Sequence, residues 1–200
     1  MLSRSAPPPL AGAVLAGGHS RRMGRDKALL PFRGVPMVRI MVDRLAGLTR
    51  PVAVIADRAN RYAGLGVPIL GDLHQGCGPL GGIHAALRQL RSAEVFVLAC
   101  DTPFVSEELI AYIAAFPTAA PARVATMDGS LHPLCGVYSQ ACLPAIEEAI
   151  SAQHFALRTL LNTVGAASVP LTPDLPFFHP RLLWNVNDPA ALAELESGDR

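Results

Sequence analysis

At 200 residues, half of them hydrophobic, the chain has the length of one domain and enough apolar material for a sizeable core. Seventeen basic residues against sixteen acidic ones leave a formal charge of +1, which excludes a polyelectrolyte footprint for nucleic acid or a membrane surface, so any phosphate recognition has to be local. Aromatics are few and not interleaved with cations, which argues against single-strand stacking, and no run of ~18 apolar residues is present to span a bilayer.

Met1 to Pro9 holds two serines and three prolines and is expected to be a disordered tail, with a single domain over 10–196. The apolar run after it loosely resembles a signal peptide, but it stops at glycines and feeds a cationic loop. It is therefore read as the first strand, Ala11–Leu15. After it come Ala16, Gly17 and Gly18, then Arg21, Arg22 and Lys27. A buried strand opening into a side-chain-free turn leaves backbone N–H groups open to phosphate oxygens, and the three cations supply mobile positive charge. The pattern is neither Gly-x-x-x-x-Gly-Lys-Ser/Thr nor Gly-x-Gly-x-x-Gly, so a P-loop and a dinucleotide fingerprint are both excluded. A Gly-rich surface turn with solvated arginines is the bland alternative.

Strand-like runs then alternate with helical spacing: helix Met37–Leu48, strand Val52–Ala56, strand Val67–Leu70, helix Ile83–Leu90, strand Val95–Ala99 and helix Glu107–Phe116. Strands Arg123–Met127 and Cys135–Tyr138, helices Cys142–Ala152 and Leu157–Val164, and strand Ser168–Leu171 follow. Asp188 and Pro189 are placed to cap and open a last helix. The first four strands are continuous apolar runs, as expected where helices cover both faces of a mostly parallel sheet. Such sheets bind ligands beyond the carboxyl ends of their strands, and the polar chemistry of this chain collects there.

Asp101, ending an apolar strand, suits Mg²⁺, which takes one or two carboxylates plus substrate phosphates; a turn aspartate before Pro103 is the alternative. Asp72 could accept two hydrogen bonds from guanine N1–H and its N2 amino group, or contact ribose, or cap its loop. The segment Gly76 to Gly82, with Pro79 and four glycines, fits an anion-holding helix start or an ordinary turn. Asn185 and Asn187 alternate onto one face of an extended segment, available to bind substrate or to shape the turn. His132 is a possible substrate contact preceding a strand, although exposure explains His19, His84 and His132 more simply. The four cysteines show neither C-x-x-C nor zinc spacing, which is consistent with a reduced cytosolic setting. No spacing supports covalent catalysis.

These residues together resemble the molybdenum cofactor guanylyltransferase (MobA) family. Leu15 to Lys27 match its opening motif Leu-Ala-Gly-Gly-x-Ser-x-Arg-Met-Gly-x-Asp-Lys at every stated position. Gly78 to Ile83, Cys100 to Phe104, His132-Pro133 and Asn185 to Pro189 recur in the same order, so the likeness covers about residues 11–196. It implies a Rossmann-like three-layer α/β sandwich of nucleotidyltransferase type. It also implies that GMP passes from GTP to the phosphate of Mo-molybdopterin, releasing pyrophosphate. By that resemblance Leu15, Ala16, Gly17, Gly18, Lys27, Asp72 and Asp101 would bind GTP, with Asp101 also holding Mg²⁺. Arg22, Lys27 and Asp101 would be the catalytic residues, and Gly78, Gly82, Asn185 and Asn187 would lie toward the pterin. The family often has asparagine at the end of the second strand, where this chain has Asp57; that residue takes over a nucleotide contact or leaves it missing. A cytoplasmic enzyme is implied, with molybdoenzyme maturation proteins as partners and with no nucleic-acid or membrane partner. The rivals are a molybdopterin cytidylyltransferase, another small-phosphate nucleotidyltransferase, and a non-enzymatic nucleotide-binding cofactor carrier.

Overall fold

The computed structural model describes residues 10–16, 26–57 and 59–186. The tail at 1–9, the glycine–arginine loop with Gly17, Gly18 and Arg22, and Asn187 with the helix expected after it lie outside those residues.

Nine strands and five helices are described. In chain order they are β1 (Leu10–Leu15), β2 (Pro31–Phe32), β3 (Val35–Pro36), α1 (Met37–Ala46), β4 (Val52–Ile55), β5 (Ile69–Leu70) and α2 (Gly78–Leu90). Then come β6 (Glu94–Ala99), α3 (Glu107–Ala115), β7 (Ala122–Met127), β8 (Ser130–Ser139), α4 (Leu143–Ser151), α5 (Leu157–Thr163) and β9 (Ala167–Pro170). Seven strands form one sheet in the order β5-β4-β1-β6-β8-β7-β9. Within it β5, β4, β1 and β6 run parallel, β8 is antiparallel to both its neighbours, and β9 is parallel to β7. The expected mostly parallel α/β sheet is therefore present.

Period-two alternation builds the three layers. Along β1 and β6, Val14, Phe96 and Leu98 enter a core shared with Met41 and Leu45 of α1 and Leu109 and Ile113 of α3. Ala11, Ala13, Leu15, Val95 and Val97 face the other way, onto Ile83 and Leu87 of α2 and Ile146 of α4. Both faces are covered, which is why these strands are apolar at nearly every position.

Several boundaries differ from the sequence reading. The third strand shrinks from Val67–Leu70 to two residues, because it pairs only with β4 at the sheet edge and Pro68 precedes it. The helix expected from Ile83 starts five residues earlier, with a proline in its first turn. His132 does not precede a strand but lies within the ten-residue β8. Its neighbour Pro133 falls at a register shift between Val124 and Ala125 of β7, where Gly136 and His132 are the successive partners and the residues between them bulge. The short β2–β3 hairpin was not anticipated; its turn residues Arg33 and Gly34 have φ of +50° and +78°, the backbone of a tight hairpin turn.

Candidate functional site

The carboxyl ends of β5, β4, β1 and β6 lie along one edge of the sheet, and four sequence candidates follow directly from them. Leu15 and Ala16 end β1, where the Ala16 N–H donates to the Ile55 carbonyl at 2.9 Å and the Cys100 N–H donates to the Leu15 carbonyl at 3.2 Å. The strand ends are thus pinned to each other immediately before residue 17. Asp101 follows β6, and the Lys27 Nζ sits 3.2 Å from its Oδ2, both side chains about one-fifth exposed. Seventy-four residues separate this pair in the chain, so the fold brings together the two groups singled out as metal ligand and phosphate cation.

Lys27 is held by its predecessor. Asp26 caps the 3₁₀ turn Lys27–Leu29, accepting from the Ala28 N–H at 3.2 Å. Its Oδ2 also takes a hydrogen bond from the Tyr62 hydroxyl at 2.8 Å and an ion pair from Arg61 at 3.2 Å. The same hydroxyl lies 3.0 Å from the Ala16 carbonyl. Burial first, and then the Asp26 carboxylate, pushes the Tyr62 phenol far above its ordinary value, so it stays protonated and its one proton is directed at these two acceptors. Tyr62 therefore links Ala16 to Asp26, the described residues on either side of 17–25. Sequence reasoning missed it, along with Arg61, because residues 57–66 carry no periodicity. Tyr62→Phe is expected to cost about 1–2 kcal/mol of stability, read as a lower Tm, and to raise the KM for the nucleotide more than it lowers kcat.

At the other end of the edge, the parallel register Val54↔Ile69 and Ile55↔Leu70 continues through the hydrogen bond from the Ala56 N–H to the Leu70 carbonyl, 2.9 Å. Two residues further on it sets Asp57 beside Asp72. Burial, then the negative charge of Asp57 and a hydrogen bond between the two side chains, push Asp72 up to about 6. Above that value Asp72 is ionised and meets the negative charge of Asp57. A raised carboxyl pKa means the folded state holds its proton more tightly than the unfolded chain, so stability falls as pH rises from about 4 to 6 and is flat above. Asp57→Asn is expected to remove the part of that slope that does not come from burial and to add at most about 1 kcal/mol at pH 7.5, about 2–4 °C in Tm, after allowing for solvent screening. Melts at pH 5 and pH 7.5 check it.

Gly78 starts α2 with φ +57°, a left-handed conformation that suits glycine at the turn into the helix. Gly82 is buried one turn later, where a Cβ would come within 3.2 Å of both Leu15 δ-carbons, so its packing is against the end of β1. Asn185 is exposed, and the next residue, Val186, is fully buried and donates its N–H to the Asp101 carbonyl at 2.8 Å. That bond ties the 179–186 segment to the Asp101 turn.

The histidine reading needs correction. His84 is buried, not exposed: it lies on the face of α2 that packs on α4, with Nε2 3.2 Å from Glu147 Oε1, and its ring is 5.0 Å from that of His74. Glu147 also pairs with Arg88. His132 is half-buried, and that burial lowers its pKa, partly opposed by Asp128, which favours the neutral ring. None of the four cysteines is in a disulfide. Burial pushes Cys100 and Cys135 up to about 12 and Cys142 to about 11, which removes them as thiolate nucleophiles at neutral pH.

Among the described residues, no helix is long and apolar enough to cross a membrane. A family model described as a MobA-like NTP transferase domain matches residues 12–169. The chain is similar to the molybdenum cofactor guanylyltransferase of Rhodobacter capsulatus, 39% identical over 94% of this chain and 95% of that one. It is also similar to the probable molybdenum cofactor guanylyltransferase of Pelotomaculum thermopropionicum, 34% identical over 92% and 90%. In three dimensions it is similar to molybdopterin-guanine dinucleotide biosynthesis protein A from Archaeoglobus fulgidus, with a TM-score of 0.77 at 24% identity over 94% and 98% of the two chains.

Proposed function

The chain belongs to the MobA-like NTP transferase family and is a nucleotidyltransferase, and on that premise we propose that it transfers GMP from GTP to the terminal phosphate of Mo-molybdopterin. The observation that carries this reading is the Lys27–Asp101 pair, 3.2 Å apart at the strand ends. A phosphate oxygen of the acceptor forms a bond to the α-phosphorus of GTP, and the bond from that phosphorus to the bridging oxygen breaks. The electron pair leaves with pyrophosphate, and the product is the guanine dinucleotide form of the cofactor. The nucleophile is already an anion, so no strong general base is needed, and positioning with charge neutralisation supplies the catalysis.

Lys27 turns from Asp101 to the phosphates when nucleotide binds and offsets charge on the departing pyrophosphate, together with Arg22. Leu15, Ala16, Gly17 and Gly18 present backbone to the triphosphate. Asp72, ionised above pH ~6, accepts from the N1–H and N2 amino donors of guanine. Gly78 and Asn185 serve the acceptor side, Gly82 does so indirectly by letting α2 pack on Leu15, and Asn187 is assigned to it from its place in the sequence.

Among the described residues, no cluster of three or more His, Cys, Asp or Glu side chains is placed to enclose an ion. A lone, partly exposed Asp101 fits a cation that keeps its waters and takes further ligands from substrate phosphates, which is the habit of Mg²⁺. When bound there, Mg²⁺ stabilises negative charge at the α-phosphate and orients it. The proposal extends to a cytoplasmic role that hands the product to proteins maturing molybdoenzymes, with 10–196 acting as one domain.

GTP labelled at the α-phosphate tests the reading. Label should appear in a pterin dinucleotide only when acceptor is present. Label remaining in GTP while nucleotide binds would favour a carrier, and transfer from CTP instead would make the chain a cytidylyltransferase.

A further inference from the structure

Resting on the guanylyltransferase reading above, we propose that Trp184 provides the flat surface on which the pterin ring of the acceptor stacks. Trp184 is the single tryptophan of the chain, and at 37% exposure it is the one aromatic among the five large hydrophobic side chains left exposed among the described residues. It is not loose. Its ring lies 6.4 Å from Phe104 at 50°, and Phe104 is itself wedged by Phe32, edge-on at 5.1 Å, and by His179, near-parallel at 6.2 Å. The indole rests against Phe104 and keeps 37% of its surface exposed, a partly backed, partly accessible ring of the kind a stacking platform requires.

Its position follows from two short covalent connections. Phe104 comes three residues after Asp101. Val186, two residues after Trp184, donates its N–H to the Asp101 carbonyl at 2.8 Å. Two residues of chain reach at most about 7 Å, so the indole is tethered close to the Asp101 turn. The attacking phosphate must come to the α-phosphorus beside Asp101, while the base lies at the far end of the edge, near Asp57 and Asp72. The rest of the acceptor, a fused conjugated heterocycle joined to that phosphate by a short link, is thereby directed to the Trp184 end. A heterocycle of that kind is bound through its π faces and through polar contacts at its rim, and Asn185 is adjacent to supply the latter. An uncharged indole selects for the ring and adds nothing to triphosphate affinity.

The single tryptophan makes the test direct. Its emission is followed in the wild-type chain titrated with molybdopterin and, as a stable probe, with 6-hydroxymethylpterin, with GTP present and Mg²⁺ withheld so that no transfer occurs. Saturable quenching is expected with both and reads stacking without turnover. In pyrophosphate-release kinetics, Trp184→Ala is expected to raise the KM for molybdopterin at least about tenfold and to leave that for GTP within about twofold, while Trp184→Phe retains most of the affinity. Absence of saturable quenching overturns the proposal. An equal rise in both KM values, which marks a structural role, overturns it too, as does a Trp184→Ala chain that changes oligomeric state without changing acceptor KM. If the wild-type chain quenches with pterin but releases no pyrophosphate, it is the guanylyltransferase reading that fails.

Discussion

Asp101→Asn is expected to lower kcat by at least about 10³-fold while leaving Tm within about 2 °C of the parent. The carboxylate is partly exposed and forms an ion pair with Lys27, the kind of pair that contributes at most about 1 kcal/mol to stability. What the fold takes from residue 101 is its main-chain carbonyl, which accepts from Val186, and asparagine keeps that. The site loses the carboxylate charge that faces Lys27. Lys27→Ala is expected to cost about 10²–10³-fold and to raise the KM for GTP as well, because an ammonium that meets the phosphates acts in the ground state and in the transition state. The double variant should be no worse than about threefold below the poorer single one, since the two groups act as a unit. Steady-state kinetics beside thermal melts separate the two roles: a fall in Tm matching the loss of activity would make the pair structural.

The largest expected effect on stability comes from the opposite end of the same strand. Glu94→Ala should destabilise the protein by about 3 kcal/mol, roughly 6–12 °C in Tm, with little change in kcat at a temperature where the chain stays folded. Glu94 opens β6 and receives both arms of the Arg123 guanidinium at 2.6 and 2.9 Å, while Arg123 also donates to the Ile113 and Ala114 carbonyls at the end of α3. Arg123 is buried, so removing its carboxylate leaves a charge in a low-dielectric setting, and the two carbonyl acceptors only partly compensate. Arg123→Met with Glu94→Ala is expected to recover part of the loss, which a simple loss of packing would not.

How far the sequence could be read follows from what each element buries. Strands β1 and β6 were legible because both faces are covered, so nearly every position is apolar and the run ends sharply at the site. That Asp101 and Lys27 belong to the same end of the sheet was legible for a related reason, since a carboxylate and a cation each follow a central strand, whereas their direct ion pair was not. β8 was shortened on reading because Pro133 looks like a strand breaker; only the bulge opposite it, formed with β7, shows how a proline is accommodated. The early start of α2 was hidden by Gly81 and Gly82, poor helix formers whose small size is what lets the helix approach Cys77 and Leu15. Tyr62 and the burial of His84 depend on partners 36 and 63 residues away, Asp26 and Glu147, and no local pattern announces such contacts.

Pyrophosphate release with Mg²⁺ and molybdate-loaded molybdopterin, compared across GTP, CTP and ATP, tests the central claim most directly. The account predicts release with GTP, dependent on acceptor, and at most a trace with the other two. Release with CTP in preference to GTP, or none with any nucleotide despite measurable GTP binding and a competent acceptor, would contradict it.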